Sequence, residues 1–357
     1  MATAVVGTGV RRAALPRYSS LGLLVASWVV MALLFLIFLL AGMTAAYNLV
    51  GVVFFGTVLW GAAVWLVSFL VEGSRKAKDR LVTALVTTAF VIALLPLVSL
   101  VETVLVKGIA RLDVQFFSES MRNIVGAGGG GLHAIVGTLE ITLGAAVISV
   151  PVGLLAAVYL VEYGRGVIAR AITFLVDVMT GIPSIVAGLF AFALFSLLTG
   201  NPGFRSGFGG SVALSLLMIP IVVRSSEEML KLVPNELREA AFALGVPRWL
   251  TIVKVVLPTA LAGIVTGVTL AVARVIGETA PLLLVAGYTT SMNYNLFNGP
   301  MVTLPVFAYT QYSQPGVDPA PAIDRSWTSA LVLILIVLLL NLAARLVARF
   351  FSPKLPA

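Results

Sequence analysis

Apolar residues run along this chain in long blocks that alternate with short polar stretches. Eight blocks reach the length of a membrane span, at about residues 21–43, 49–71, 81–106, 133–161, 171–199, 211–229, 259–287 and 327–350. A helix of about 20 apolar residues crosses the hydrocarbon core of a bilayer. The pattern therefore predicts an all-α polytopic membrane protein with about eight transmembrane helices.

One polar interruption, residues 230–258, is too long for a tight turn and too amphipathic for a passive loop. Gly245 stands where a C′ glycine would end a first helix, and Pro247 suits the first position of a second helix. Pro258 marks the next predicted boundary. We therefore expect two short helices that meet at an elbow at Gly245–Pro247.

The composition supports this class and narrows the range of partners. Of the 357 residues, 60% are hydrophobic and 11% are charged, and the mean hydropathy of +1.08 lies beyond that of a soluble domain. The chain has no cysteine and one histidine, which excludes a disulfide framework, a zinc–thiolate site and a multi-histidine metal site. The net charge of +8 fits basic residues on the cytoplasmic side better than nucleic-acid binding.

The orientation follows from placing residues 230–258 in the cytoplasm, because the connections between spans alternate sides. Seventeen of the 23 Lys and Arg residues then lie inside or at inner helix ends, five lie outside, and Arg274 lies within a span. This bias agrees with the positive-inside rule. We expect a multi-pass protein in the lipid of the bacterial cytoplasmic membrane, with both termini in the cytoplasm.

A run of glycines at Gly126–Gly131 predicts a flexible extracytoplasmic hinge that separates three spans from five. The chain accordingly divides into regions with different expected roles. These are an N-terminal region with three transmembrane helices at 1–110, a Gly-rich linker at 111–132, a second membrane region at 133–350 and a cytoplasmic tail at 351–357.

The most informative charged residues are Arg274 and Glu278, which fall inside the seventh block. An ionised residue at that depth is costly and marks a functional site by default. At a spacing of i, i+4 both side chains lie on one helix face, so Glu278 can hold the guanidinium when substrate is absent. The guanidinium fork suits a tetrahedral oxyanion, and Thr279 can add a hydroxyl donor. A structural ion pair between helices is the alternative.

A helix-breaking stretch, Thr180–Ser184, interrupts the fifth block. Its proline kinks a helix and frees backbone groups, which in lipid need a partner or a water-lined cavity. Pro183 and Ser184 are therefore predicted either as part of a gate or pathway wall, or as a simple packing kink.

The polar interruption also carries a family pattern. Glu239–Ala241, separated by three residues from Gly245, resembles the start of the EAA loop of ABC importer permeases. The pattern continues to Leu257–Pro258, with Val255 in place of the usual isoleucine. In that family the loop docks on a cytoplasmic ATPase. The resemblance implies that docking is carried by Glu239, Ala240, Ala241, Phe242, Leu244, Gly245, Val246 and Pro247.

Residues 133–350 resemble the permease core of type I, MetI-like ABC importers, and the segment ARVIGETAPLLLVAG resembles PstA-type phosphate permeases. In those permeases the arginine of this segment is implicated in the phosphate path. The resemblance therefore implies phosphate contact or gating by Arg274, with Glu278 as its partner. The two spans before Arg75 depart from the usual pattern of the family, and we assign no chemistry to them.

The same resemblance implies a larger assembly. Its other members would be a second permease subunit of PstC type, a dimeric ATPase of PstB type and an extracytoplasmic phosphate-binding protein of PstS type. The sequence lacks a P-loop motif, so we expect a non-enzymatic permease without a cofactor, with ATP and Mg²⁺ on the partner ATPase. Two alternatives stay open: an importer of the same class for sulfate or molybdate, and an ion-coupled anion carrier gated by Arg274 and Glu278.

Overall fold

The structure is a computed structural model that describes residues 15–16, 18–43, 46–316 and 318–351. These residues form helices, turns and loops, with no β-strand among them, so the predicted all-α class is confirmed. Most of residues 1–20, which the sequence predicts to be cytoplasmic, and all but the first residue of the tail at 351–357 lie outside the described residues.

The helices follow one another in the order that the hydropathy pattern predicts. They are α1 Ser19–Leu40, α2 Leu49–Val71, α3 Ser74–Gly108, α4 Val114–Ser118, α5 Leu132–Val158, α6 Val167–Gly181, α7 Ser184–Thr199, α8 Gly207–Lys231, α9 Asn235–Ala243, α10 Arg248–Thr251, α11 Leu257–Val275, α12 Ala280–Val285, α13 Leu304–Ser313 and α14 Pro319–Phe351. A 3₁₀ turn and two π-helical turns extend them at Ile109–Arg111, Tyr159–Tyr163 and Ile252–Val256.

The number of spans agrees with the prediction of about eight. Seven helices in the described part of the chain are long and apolar enough to cross a membrane, and the bent pair of α6 and α7 makes an eighth. The two helices of that pair meet at 108°. Pro183 is the reason, because it cannot donate to a carbonyl of the preceding turn and its ring clashes there. The predicted break is confirmed, and it is a sharp bend within the block at 171–199.

The chain divides into two compact units, Met1–Val101 and Glu102–Ala357, and the division falls inside α3. In the first unit, glycines let α1 and α2 approach closely. A Cβ on Gly51 would lie 2.8 Å from the ring of Phe35, and one on Gly56 would overlap the ring of Trp28. Small residues at such contacts are the usual means of helix association in lipid.

A buried carboxylate joins α2 to α3 within the first unit. The Glu72 side chain is 1% exposed and lies 2.7 Å from Nε of Arg80. It also accepts hydrogen bonds from Ser68 Oγ and from the backbone N–H of Leu15, each at 2.9 Å. Burial alone would raise the pKa of Glu72, but these donors and the Arg80 charge hold it at about 2.

The second unit is built around α8, which packs against α5 along much of its length. Small and hydroxyl-bearing residues make this contact possible. Ser211 Oγ donates to the Ile141 carbonyl at 3.0 Å, and Ser149 Oγ donates to the Ser215 carbonyl at 3.4 Å. A hydroxyl that donates to a carbonyl of the neighbouring helix has a hydrogen-bond partner within the apolar core. The core therefore keeps α5 and α8 in a defined register.

The glycine run at Gly126–Gly131 is a packed loop, and the prediction of a flexible hinge is wrong. The buried guanidinium of Arg325 donates to the carbonyls of Gly126 and Gly128, at 2.8 and 3.0 Å. A Cβ on Gly130 would lie 2.5 Å from a backbone carbonyl oxygen. Gly129, Gly130 and Gly131 are needed for close approach of neighbouring atoms, whereas Gly126 and Gly128 have positive φ angles of +82° and +91°. Composition alone cannot distinguish these needs from flexibility.

The predicted boundary at Pro258 coincides with the start of α11 at Leu257, and Pro258 is the second residue of that helix. The chain nevertheless stays helical across this boundary, from Arg248 to Val275. The π-helical turn Ile252–Val256 ends two residues before the proline. A π-turn changes the hydrogen-bond register from i→i+4 to i→i+5, which accommodates a residue without an N–H.

Candidate functional site

The seventh span breaks where the sequence predicts a continuous helix. Helix α11 ends at Val275 and α12 begins at Ala280, so the prediction of one helix over 259–287 is wrong. Pro281 explains the break, because a proline cannot donate to the carbonyl four residues earlier, here that of Gly277. Glycine at that position lowers helix propensity further. This pairing of glycine and proline is a signal that the sequence already contained.

Arg274 lies in the last turn of α11 with its side chain exposed. Its guanidinium has no hydrogen bond or ion pair to any other described residue. A cation in the last turn is favoured by the partial negative charge at a helix C-terminus. Arg274 is therefore a free cation at a break within a membrane span.

Glu278 is half-buried and lies in the irregular segment after α11. Its backbone N–H donates to the Val275 carbonyl at 3.1 Å. The predicted ion pair with Arg274 is absent from the described residues, because the helical register that would place both on one face ends between them. The two residues are close in the sequence, but their side chains are not paired among the described residues.

The two broken spans lie against each other. Helix α7, which starts after the bend at Pro183, packs on α12, which starts after the break at Thr279. The contact is tight, since a Cβ on Gly188 would lie 2.5 Å from Cα of Pro281. Neither the Thr279 nor the Ser184 hydroxyl has a hydrogen bond to a described residue. The structure thus places both interruptions on neighbouring helices.

An apolar cavity beside the first bend is not the candidate site. It has a volume of about 270 Å³, and its walls come from α6, α7 and α8. The lining residues are Met179, Ile182, Val186, Ala187, Phe190, Leu216 and Leu217. None of these can neutralise or hydrogen-bond an anion with its side chain. A charged ligand is better served by the free guanidinium of Arg274.

The predicted elbow is confirmed. Helix α9 ends in a Schellman motif, in which Gly245 N–H donates to the Phe242 carbonyl at 2.9 Å and Val246 N–H to the Ala241 carbonyl at 3.1 Å. Gly245 has φ +75°, a conformation that favours glycine. Helix α10 starts directly after Pro247. These local bonds give the elbow a defined shape.

The elbow presents an exposed surface with an apolar tip. Phe242 is 45% exposed and Leu244 is 84% exposed. The other exposed members of the predicted docking set are Glu239, Ala240, Gly245 and Pro247. Val246 is half-buried, and Ala241 is buried against its own chain, so Ala241 lies away from the presented surface.

Sequence reasoning missed the ion pair that anchors this elbow. Arg238 of α9 lies 2.9 Å from Glu162, in the π-helical turn that ends α5. Both side chains are largely buried. The residues are 76 positions apart, and the one available signal was a carboxylate directly after the apolar block at 133–161.

The family described as binding-protein-dependent transport system inner membrane component matches residues 149–356 of this chain. This range includes the two broken spans and the elbow.

Individual relatives extend the likeness over most of the chain. The phosphate transport system permease protein PstA 1 of Mycobacterium tuberculosis H37Rv is 47% identical over 283 residues, which are 78% of this chain and 90% of the relative. PstA of Pasteurella multocida is 40% identical over 282 residues, 78% of this chain and 96% of the relative.

A solved structure shares the fold. The crystal structure of a bacterial ABC transporter involved in the import of the acidic polysaccharide alginate has a TM-score of 0.52 and 13% identity. The match covers 77% of this chain and 97% of that chain. At this identity the likeness concerns the arrangement of helices alone.

Proposed function

Because the chain belongs to the family of binding-protein-dependent transport system inner membrane components, we propose that it is the membrane permease subunit of an ATP-driven importer of inorganic phosphate. Its relatives at 37–47% identity carry the name of phosphate permeases. The chain is an integral membrane protein that works within a transporter complex. The single observation that carries the substrate assignment is the free guanidinium of Arg274 at the break between α11 and α12.

Arg274 is the residue that contacts phosphate in this proposal. A guanidinium offers two parallel N–H groups to two oxygens of a tetrahedral anion, and the energy of that contact increases where water is excluded. An arginine already neutralised by a carboxylate would bind an anion less well. The absence of an ion pair to Glu278 in the described residues therefore supports the role, since the cation is available without first breaking a contact.

Thr279, Pro183 and Ser184 form the wall of the path beside Arg274. The breaks at these positions leave backbone groups outside helical hydrogen bonding, and a membrane tolerates such groups where they line a water-filled cavity. Glu278, four residues after Arg274 in the sequence, belongs to the same proposed set of path residues. The tight contact of α7 with α12 joins the two broken spans.

The elbow couples this path to a motor. An exposed apolar tip on a polar helix suits a groove of a partner, here the dimeric ATPase of PstB type that holds ATP and Mg²⁺. A second permease subunit of PstC type would complete the path, and a phosphate-binding protein of PstS type would deliver the anion from outside. In this arrangement the elbow and both termini lie in the cytoplasm of a bacterial cell and the glycine loop lies outside.

Phosphate uptake at low phosphate concentration tests the substrate role. In the full complex we expect Arg274→Ala to lose uptake, Arg274→Lys to keep a part of it, and Arg345→Ala to match the unchanged chain. Arg345 is the control because it is another exposed arginine on a spanning helix. Normal uptake by Arg274→Ala would reject the assignment of this residue.

Competition distinguishes phosphate from other oxyanions. Excess unlabelled phosphate should suppress labelled phosphate uptake, whereas sulfate and molybdate should leave it unchanged. Suppression by sulfate at equal concentration would favour the importer of the same class for another oxyanion. Uptake that continues in purified vesicles without an ATPase would favour an ion-coupled carrier.

A further inference from the structure

One guanidinium on the elbow joins three segments of the chain. Arg238 donates from Nε and Nη2 to Glu162 Oε1, at 3.1 and 2.9 Å. It also donates to the carbonyls of Val233 and Leu230, at 2.6 and 3.0 Å. These acceptors belong to the end of α5, the end of α8 and the connection into α9. Arg238 thus ties α9 to both helices of the central pair.

This ion pair is largely removed from water. The Arg238 side chain is 13% exposed and that of Glu162 is 6% exposed. A buried pair contributes little net stability compared with apolar residues of similar volume, yet loss of one partner is strongly destabilising. Stability alone is therefore a weak reason for charges here. The hydrogen bonds of Arg238 are directional, so they fix the position of α9 relative to α5 and α8 more closely than apolar contacts would.

The second half of the elbow is fastened to the same turn. Arg248, the first residue of α10, donates to the backbone carbonyl of Glu162, and its guanidinium lies 5.1 Å from the centre of the Tyr163 ring. The turn that receives both arginines, Tyr159–Tyr163, is π-helical. The turn that follows Arg248, Ile252–Val256, is π-helical too. Such turns are less tightly bonded than an α-helix and are frequent at functional positions.

We infer that Arg238 and Glu162 are positioning residues that transmit displacement of the elbow to α5 and α8. This inference rests on the proposed function, because it takes the elbow as the docking site of the ATPase. The exposed tip at Phe242 and Leu244 faces the motor, and the buried side of the same helix holds the path helices. Since α8 packs against α5, α7 and α11, displacement at this joint reaches both broken spans.

The test measures phosphate imported per ATP hydrolysed by the whole complex in proteoliposomes. Arg238→Gln should lower this ratio by about tenfold, the size of one interaction between residues of a shared network. The ATPase should co-purify in unchanged yield, because the exposed tip is untouched. Arg238→Lys, which keeps the charge, should recover part of the ratio. Arg165→Gln should have no effect, because Arg165 is exposed on the inner loop three residues from Glu162.

A double-mutant cycle shows whether Arg238 and Glu162 affect the ratio through each other or independently. If the two residues act through each other, Arg238→Gln combined with Glu162→Gln should lower the ratio no more than the more severe single change. The inference would be overturned if the double variant lowered the ratio by the product of the two single effects. It would also be overturned if Arg238→Gln left the ratio unchanged. Failure of the proposed function looks different: the unchanged complex would then import no phosphate or bind no ATPase.

Discussion

Gly245 allows the elbow to be perturbed without disturbing its packing. Its φ is +75°, and a Cβ added to it would meet nothing within 4 Å. A substitution therefore strains the backbone and leaves neighbouring side chains in place. Asparagine tolerates this conformation, alanine and valine resist it, and proline cannot adopt it because its φ is fixed near −65°.

The left-handed conformation costs about 1–2 kcal/mol for a residue with a Cβ. A change of that size shifts an equilibrium by a factor of about 5–30. For Gly245→Val we expect the population of the elbow conformation seen here, relative to other conformations, to fall by a factor within that range. Gly245→Pro also removes the N–H that donates to Phe242 at 2.9 Å, so its loss should be larger.

Phosphate import per ATP in proteoliposomes reports the shape of the elbow. We expect the ratio to fall in the order glycine, asparagine, alanine, valine, proline. Gly200→Val is the matched control, because Gly200 has φ +67° and open space but ends α7, away from the elbow. It should lower thermal stability and leave the ratio unchanged. An unaltered ratio in Gly245→Val, or an equal loss in Gly200→Val, would refute the reasoning.

Two further predictions concern stability. The folded-state pKa of Glu72, about 2, lies below its unfolded value. The stability that its ionised form gives is therefore complete above about pH 4.5 and is lost as pH falls through the folded pKa. Hydrogen exchange can compare the unchanged protein with Glu72→Gln in the α2–α3 turn. The turn should be better protected in the unchanged protein at higher pH, and this difference in protection should disappear as the pH falls across that window. A difference that does not depend on pH would contradict this prediction. Gly137→Val should lower the melting temperature through a clash with the Val302 carbonyl that costs about 1–3 kcal/mol, whereas Gly61→Val, with open space, should not; equal losses would contradict the packing argument.

Local signals explain why parts of the site could be predicted. The elbow depends on Gly245 and Pro247, whose effects are confined to their own turns. The bend at Pro183 depends on one proline in the same way. The break before Pro281 had an equally local cause, yet the apolar block concealed it, because hydropathy measures transfer into lipid and not whether each N–H has a partner. The predicted ion pair between Arg274 and Glu278 was wrong for that reason, since it assumed a continuous helix.

Long-range contacts could not be read in this way. The Arg325 bonds that turn a glycine run into a packed loop reach back about 200 residues. Glycines that permit close approach and glycines that permit flexibility look alike in composition. The same holds for Arg238, whose role depends on which carboxylate and carbonyls the fold brings to it.

By itself the sequence determined the helical class, the number of spans, the elbow and the arginine within the membrane. Those features follow from transfer free energy and from backbone chemistry within a few residues. The tertiary structure alone decided that Arg274 has no partner among the residues that the structure describes, that both broken spans meet, and that Arg238 fastens the elbow to Glu162. Each depends on which surfaces of distant helices pack together. That packing is determined by the total surface that the whole unit buries, and short stretches of sequence do not reveal it.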